Sequence, residues 1–265
     1  MKLLSIASGS SGNCIYVGTE TTHILIDAGI SGKRIEEGLK TIGLSTKDMD
    51  AVFITHEHID HIGGLGVIAR KYKLPIYGTS GTISGIQRTK SVGVIDESLY
   101  QRFDKNSKVY VKDLMIDPLE ISHDAADPVA YRISDGKKRI GVITDLGYYT
   151  EEIIEQLQGM DALLIEANHD VNMLQVGSYP YPLKQRILGK RGHLSNETAG
   201  RMLSRLVHDG LSTILLGHLS NENNLPALAY ESVRLEITMG DNPYQAADFN
   251  IQVAKRSQPT QVVEI

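Results

Sequence analysis

The stretch Ala51-Val-Phe-Ile-Thr-His-Glu-His-Ile-Asp-His-Ile-Gly-Gly-Leu65 decides the fold and the chemistry of this chain. It starts with an apolar, β-prone run at Val52–Ile54, which predicts a buried strand. Gly63 and Gly64 then allow a sharp turn before the helical pattern of residues 65–72. Between strand and helix lie three histidines and two carboxylates, namely His56, Glu57, His58, Asp60 and His61. The order predicted is therefore a strand, a polar loop and a helix.

The crowding of histidines in this loop points to metal binding. Imidazoles this close would repel one another when protonated. Their clustering contributes little to stability unless a metal ion binds them. Three imidazoles and a carboxylate suit one divalent ion or two, and an imidazole-rich set favours Zn²⁺ or Mn²⁺ over Mg²⁺. The alternative, an ordinary polar loop after a strand, leaves the density of histidine unexplained.

Composition narrows the class of protein. The chain has 265 residues, 41% hydrophobic and 22% charged, which is typical of a globular protein. A net charge of −5 argues against a wholly basic nucleic-acid binder, although a local basic patch remains possible. The single cysteine, Cys14, cannot form an internal disulfide, which favours a reducing compartment. Met1–Asn13 lacks the pattern of a signal peptide, and no run approaches the ~20 apolar residues of a membrane span. We expect a cytoplasmic protein with no membrane partner.

Local patterns along the chain predict a mixed α and β fold. We expect one domain, residues 1–265, built of two halves at roughly 1–135 and 136–265. Strands are predicted at 3–7, 14–17, 23–26, 52–54, 75–78, 129–134, 139–143, 162–165, 213–216 and 250–254, with two or three more in 100–121. Helices are predicted at 30–42, 65–72, 79–90, 150–157 and 225–236, with another that Ser195 or Asn196 can cap. His208 is expected on a helix surface, and the residues after 254 as a loose end.

The core stretch matches the His-x-His-x-Asp-His signature of the metallo-β-lactamase superfamily, which the chain resembles. This resemblance implies a four-layered αββα sandwich with ligands at strand ends. It implies two divalent ions, Zn²⁺ or Mn²⁺, and a metal-bound hydroxide that Asp60 orients as nucleophile. One ion would take His56, His58 and His123, the other Asp60, His61 and His218, with Asp145 bridging and Asp27 supporting the ligands from behind. Histidine at position 58, where the oxygen-reducing diiron branch has an acidic residue, favours hydrolysis over redox chemistry.

Two further motifs narrow the substrate. Glu166 in Glu-Ala-Asn-His and His193 in Gly-His-Leu-Ser resemble the paired motifs of the tRNase Z type phosphodiesterases. There the carboxylate orients a histidine that protonates the leaving oxygen, which a phosphodiester needs because an alkoxide leaves poorly. The alternatives are a helix cap for Glu166 and a loop histidine for His193. His169 would support the site from behind or contact substrate.

The segment Tyr179–Arg191 is a candidate substrate-binding surface. Cations can track phosphates and tyrosines can stack on bases. The residues concerned are Tyr179, Tyr181, Lys184, Arg186, Lys190 and Arg191. The alternative is a solvated loop and helix face.

Nearly the whole chain resembles one bacterial family, the YycJ (WalJ, or VicX) proteins. The segments that carry the resemblance are Ile6–Asn13, Ile54–His61, Ser122–Ala125, Glu166–Asp170, Leu183–Leu188, Gly192–Glu197 and Leu216–Asn224. It implies a metal-dependent nuclease with 5′→3′ exonuclease action on DNA rather than RNA, and a role in DNA repair.

Two other functions compete with this hypothesis. The same metals could hydrolyse a small ester, thioester or lactam, or the protein could be a non-catalytic partner of a signalling system. The Glu166 and His193 pair favours a phosphodiesterase, and complete ligands argue against an adaptor. Asp145 and His218 are too close in sequence to enclose an extra domain of typical size, ~100 residues or more. We therefore expect an open site, or one closed by loops or by a second subunit of a homo-oligomer.

Overall fold

The computed structural model describes residues 1–265, which divide into two compact units. Unit 1 comprises Met1–Glu120, Ala125–Lys137 and Lys255–Ile265, and unit 2 comprises Ile121–Asp124 and Lys138–Ala254. The strands are β1 (Lys2–Ala7), β2 (Cys14–Gly18), β3 (His23–Ile26), β4 (Ala51–Phe53), β5 (Ile76–Thr79), β6 (Tyr100–Phe103), β7 (Val109–Val111), β8 (Leu114–Glu120), β9 (Val129–Ser134), β10 (Arg139–Ile143), β11 (Ala162–Glu166), β12 (Thr213–Gly217), β13 (Asn250–Val253) and β14 (Val263–Glu264). The helices are α1 (Gly32–Lys40), α2 (Ile59–Ile62), α3 (Leu65–Tyr72), α4 (Ser80–Arg88), α5 (Glu151–Leu157), α6 (Val171–Val176), α7 (Tyr181–Leu188), α8 (Asn196–Ser204) and α9 (Pro226–Met239).

Unit 1 is built on a sheet in the order β14-β1-β2-β3-β4-β5-β6. The pairs from β14 to β3 are antiparallel, and β3 to β6 run parallel. Val52 in β4 is fully buried, as expected for a parallel strand covered on both faces. The polar loop that follows β4 therefore starts from the middle of the sheet, at the carboxyl ends of its parallel strands.

The helices of unit 1 follow from local sequence signals. The Ser31 side chain accepts a hydrogen bond from the backbone of Arg34 and caps α1. The buried residues of α3 recur with helical spacing, and the helix has the predicted bounds. It ends at Tyr72, and the next residue, Lys73, adopts a left-handed backbone with φ 56°. The remaining strands of unit 1, β7, β8 and β9, form an antiparallel meander.

Unit 2 is built on the parallel strands β10, β11, β12 and β13, which pair in that order. Ile143 pairs with Ile165, and Glu166 with Gly217, so the carboxyl ends of β10, β11 and β12 lie at one edge. Thr150 caps α5, and Ser195, one of the two predicted caps, caps α8. Strand register thus brings together the residues that directly follow these three strands.

Two local expectations are wrong, and one short helix was not predicted. The tail is not loose, because Val263 pairs with Leu3 and β14 extends the sheet of unit 1. His208 does not lie on a helix, since α8 ends at Ser204, and its Nε2 lies 3.0 Å from the Met160 carbonyl oxygen. Helix α6 was not predicted, because six residues are too few to show helical periodicity.

No helix in residues 1–265 combines the length and the apolar character needed to cross a bilayer. The prediction that the two units are halves of a single domain stays a prediction.

Candidate metal centre and catalytic dyad

The histidines of the core stretch form a compact cluster in unit 1. His56 follows β4, His58 precedes α2, and Asp60 and His61 lie within that four-residue helix. The ring centres of His56 and His58 are 4.6 Å apart, and those of His56 and His61 are 4.1 Å apart. His56 and His61 are fully buried. Glu57 points elsewhere, since its Oε1 accepts a hydrogen bond from the Ala126 backbone at 2.9 Å.

Asp27 fixes the orientation of this cluster. It is fully buried, and its Oδ2 lies 2.7 Å from Nδ1 of His61. Its Oδ1 accepts from the Thr55 backbone at 2.9 Å, and its Oδ2 accepts from the Thr55 hydroxyl, also at 2.9 Å. That hydroxyl oxygen lies 3.0 Å from Nδ1 of His56. Asp27 therefore acts on both rings, directly and through Thr55, which the sequence analysis did not single out.

The backbone around Asp60 is held by close contacts within unit 1. The Asn13 backbone donates to the Asp60 carbonyl at 2.8 Å, and the Ala28 backbone donates to the His61 carbonyl at 2.8 Å. The Asn13 side-chain amide lies 3.1 Å from Nε2 of His61. A Cβ at Gly29 would lie 1.6 Å from the Asp60 carbonyl oxygen, so only glycine fits there.

Unit 2 carries a second cluster, at the carboxyl edge of its sheet. Asp145 lies just after β10, Glu166 is the last residue of β11, and His218 directly follows β12. His193 lies in the turn after α7. Ligand atoms of these four residues all lie within 4.8 Å of one another. Oδ1 of Asp145 lies 3.6 Å from a ring nitrogen of His193, of His218 and also of His123.

These separations fit metal ligands better than hydrogen bonds. Two ligands of a tetrahedral ion with bonds of ~2.0–2.1 Å lie ~3.3–3.4 Å apart. Nε2 of His123 and Nε2 of His218 both face the Asp145 carboxylate at 3.6 Å. Their Nδ1 atoms face protein acceptors, the Gly192 carbonyl oxygen at 3.2 Å and Oε2 of Glu166 at 3.5 Å. Holding one ring nitrogen in this way leaves the other available to a metal.

The backbone at three of these residues is strained. Asp27, Asp145 and His218 have φ values of 62°, 60° and 51°, in the left-handed region. Each such residue costs about 1–3 kcal/mol and persists only where surrounding contacts impose it. All three lie at the carboxyl end of a strand, where the strain turns a side chain towards a cluster.

Glu166 and His193 form a dyad inside unit 2. Nδ1 of His193 lies 3.1 Å from Oε2 of Glu166, while Oε1 accepts from the backbones of Leu146 at 2.7 Å and Leu194 at 2.9 Å. Burial opposes ionisation of Glu166, but the charge and hydrogen bond of His193 and a hydrogen bond with His218 together outweigh it, and the pKa of Glu166 is lowered to about 2. The carboxylate is thus a fixed negative charge that can stabilise a protonated His193. The His193 side chain is 16% exposed, so the ring is within reach of a substrate.

His169 and its neighbours support the same edge. His169 is 1% exposed, its Nδ1 lies 3.3 Å from Oδ1 of Asn168, and its Nε2 has no hydrogen-bond partner. Burial is the main cause that lowers the pKa of His169 to about 4, so the ring is neutral at neutral pH. Asn168, which the sequence analysis did not single out, donates to the His218 carbonyl at 3.0 Å.

The predicted substrate-binding segment spans α7 and the turn after it. Lys184 donates to the carbonyls of Gln175 and Gly177 at 2.8 and 2.7 Å. Arg186 forms a two-pronged ion pair with Asp124. Arg191 donates to the His123 carbonyl at 3.1 Å.

The other predicted residues of this segment face solvent. Lys190 lies over the Tyr148 ring at 5.9 Å. Tyr181 is 72% exposed, and Tyr179 is partly exposed. Three of the four predicted phosphate-binding cations therefore contact protein acceptors in unit 2, and the tyrosines and Lys190 do not.

Comparison with known proteins identifies the family of this chain. The family model of the β-lactamase superfamily domain matches residues 22–218. The exodeoxyribonuclease WalJ of Streptococcus pneumoniae is 39% identical over 260 residues, which cover 98% of this chain and 96% of that protein. The exodeoxyribonuclease YycJ of Bacillus anthracis is 39% identical over 228 residues, which cover 86% of each chain.

Two solved structures confirm the predicted fold class, the αββα metallo-β-lactamase sandwich. The metallo-β-lactamase fold protein YhfI of Bacillus subtilis aligns with a TM-score of 0.72 at 18% identity and covers 98% of each chain. The Zn²⁺-bound PqqB of Methylobacterium extorquens aligns with a TM-score of 0.73 at 18% identity and covers 100% of each chain.

Proposed function

Because this chain belongs to the metallo-β-lactamase superfamily and, within it, to the family of the exodeoxyribonucleases WalJ and YycJ, we propose that it is a metal-dependent exodeoxyribonuclease. The observation that carries the proposal is the Glu166–His193 dyad, with 3.1 Å between Oε2 and Nδ1. A buried carboxylate that orients a partly exposed histidine is what protonation of an alkoxide leaving group requires.

The ligand assignment follows the superfamily pattern. We assign one ion to His56, His58 and His123, a second to Asp60, His61 and His218, and the bridging position to Asp145. The orientation of the histidine rings within each unit supports this assignment. In each of four rings Nδ1 faces a protein oxygen, namely in His56, His61, His123 and His218. The proposed metals are Zn²⁺ or Mn²⁺, because imidazole dominates the donor set. Such ions supply Lewis acidity and an activated water when bound.

The protein's own groups would then divide the remaining chemistry. His193 would carry a proton for the oxygen that leaves the phosphorus, while Glu166 holds Nδ1 and stabilises the cationic ring. Asp60 would orient the attacking water. Asp27 keeps Nδ1 of His61 engaged at 2.7 Å, so Nε2 would hold the metal in place of its present contact with the Asn13 amide at 3.1 Å.

We propose DNA as the substrate and 5′→3′ as the direction. The support is the printed name of the relatives, and for polarity the family resemblance. Within Tyr179–Arg191 we retain Tyr179, Tyr181 and Lys190 as direct contacts to nucleic acid. Lys184, Arg186 and Arg191 would contribute less to nucleic-acid binding, because N–H groups of each already contact protein oxygens.

The test is digestion of oligonucleotides by protein of known metal content. Single- and double-stranded DNA and RNA labelled at the 5′ or the 3′ end would be compared with nitrocefin and p-nitrophenyl acetate. We expect mononucleotides to be released from the 5′ end of DNA. Turnover of the lactam or ester without DNA cleavage would instead support the small-substrate hydrolase.

A further inference from the structure

Tyr148 and Lys190 form an exposed aromatic and cationic pair in unit 2. The Lys190 Nζ atom lies 5.9 Å from the centre of the Tyr148 ring, within the ~6 Å range of a cation–π contact. Tyr148 is 43% exposed, and Lys190 is exposed as well. An aromatic ring and an ammonium group in contact with solvent are the two groups that single-stranded nucleic acid binds best.

Both residues lie close to the cluster of unit 2. Tyr148 is three positions after Asp145, and Lys190 is three positions before His193. A three-residue segment reaches at most ~11 Å, so a nucleotide bound at the pair is a neighbour of a phosphate bound near those two side chains.

Backbone contacts hold the two segments together. The Gly147 backbone donates to the Ser122 carbonyl at 2.8 Å, and the Ser122 hydroxyl donates to the Lys190 carbonyl at 2.9 Å. A Cβ at Gly147 would lie 2.2 Å from the Lys190 carbonyl oxygen, so the two backbones touch. The pair is thus fixed relative to the loop that carries His123.

The charge of Lys190 is available to a ligand. Unlike Lys184, Arg186 and Arg191, its ammonium contacts no carbonyl or carboxylate of the protein, only the Tyr148 ring. The chain as a whole carries a net charge of −5. No protein carboxylate therefore neutralises the Lys190 ammonium, which favours contact with a phosphate.

We propose that Tyr148 and Lys190 form a nucleotide subsite, in which the ring stacks on a base of a single DNA strand and the ammonium pairs with a backbone phosphate. The inference rests on the proposed nuclease function and adds Tyr148, which the sequence analysis did not single out, to the predicted contact Lys190. Stacking tolerates any base, because every base has a π face, which suits an exonuclease that must accept all sequences. Lys190 acts as a point charge and does not select a base.

The test is equilibrium binding of a fluorescent single-stranded oligonucleotide in the presence of a chelator, so that no cleavage occurs. Tyr148→Ala should raise Kd about tenfold, the value for loss of one stacked base. Tyr148→Phe should bind like the wild type, and an oligonucleotide of abasic sites should not distinguish the alanine variant from the wild type. A plot of the logarithm of the association constant against the logarithm of the salt concentration has a negative slope. Lys190→Gln should make this slope shallower by about 0.7, which corresponds to the loss of one phosphate contact on a single strand.

Matched controls come from unit 1. Tyr110 is 67% exposed on β7, and Lys71 lies 4.9 Å from the Tyr72 ring, so Tyr110→Ala and Lys71→Gln remove similar groups elsewhere. Both controls should keep the wild-type Kd and salt slope. An unchanged Kd in Tyr148→Ala, or an equal loss in the controls, would overturn the subsite. Oligonucleotide binding without any metal-dependent cleavage by the wild type would refute the nuclease function instead.

Discussion

Replacing Glu166 by glutamine removes one charge and keeps the shape of the side chain. A glutamine carbonyl oxygen can still accept the backbone N–H groups of Leu146 and Leu194, which lie 2.7 and 2.9 Å from Oε1. At the Oε2 position, an amide NH₂ would face Nδ1 of His193, now 3.1 Å away, and Nδ1 of His218, now 3.5 Å away. A donor in that place opposes protonation of His193 at Nδ1.

The size of the effect follows from the lost contact. A hydrogen bond to a charged group contributes about 1.5–3 kcal/mol, and the protonated ring loses one. At about 1.36 kcal/mol per tenfold change in rate, kcat on DNA should fall about 10–150-fold. A p-nitrophenyl phosphodiester should lose much less, because its phenolate leaves without a proton.

The assay compares kcat of Glu166→Gln on 5′-labelled DNA and on bis-p-nitrophenyl phosphate, with metal content measured on the same samples. Glu151→Gln is the control, since Glu151 pairs with Arg205 on the surface. Both variants are assayed at saturating metal, because Oε2 of Glu166 also faces Nδ1 of the proposed ligand His218 and its replacement should weaken metal binding. An undiminished rate on DNA, or an equal loss on both substrates at full metal content, would refute the proton-transfer role of the dyad.

Two further substitutions test unit 1. Asp27→Ala removes the acceptor 2.7 Å from Nδ1 of His61. Metal affinity, measured by competition with a chelating dye, should therefore fall about 10–100-fold. An unchanged affinity would contradict the role of Asp27 in orienting His61. Gly29→Ala places a Cβ 1.6 Å from the Asp60 carbonyl oxygen, so denaturant unfolding should show a loss of about 1–3 kcal/mol or more. Gly32→Ala, whose Cβ would find its nearest neighbour at 3.2 Å, should cost less, and equal losses would count against the close approach at Gly29.

Much of the fold could be predicted from local sequence patterns. The bounds of α3 match the expectation because its apolar residues recur with helical period and a glycine pair precedes them. The parallel strands β11 and β12 read as short buried apolar runs, which is how such strands appear in sequence. Pairing of β14 with β1 could not be predicted, since a two-residue strand has no periodicity and its partner is at the other end of the chain.

The candidate site likewise contains residues that could be predicted from the sequence and residues that could not. Histidines and carboxylates could be picked out because their spacing is dense or resembles a family motif. Thr55, Asn13 and Asn168 were missed, because each acts through hydrogen bonds to side chains or carbonyls that are distant in sequence. Likewise, nothing in the sequence shows that Arg186 faces Asp124, a residue of a distant loop, rather than solvent.

Metal titration of chelator-treated protein tests the central claim most directly. Metal-free protein should leave end-labelled DNA intact, and addition of Mn²⁺ or Zn²⁺ should restore hydrolysis that saturates at two bound ions per chain. Full hydrolysis by protein shown to be free of metal, or failure of the folded protein to bind either ion, would contradict it.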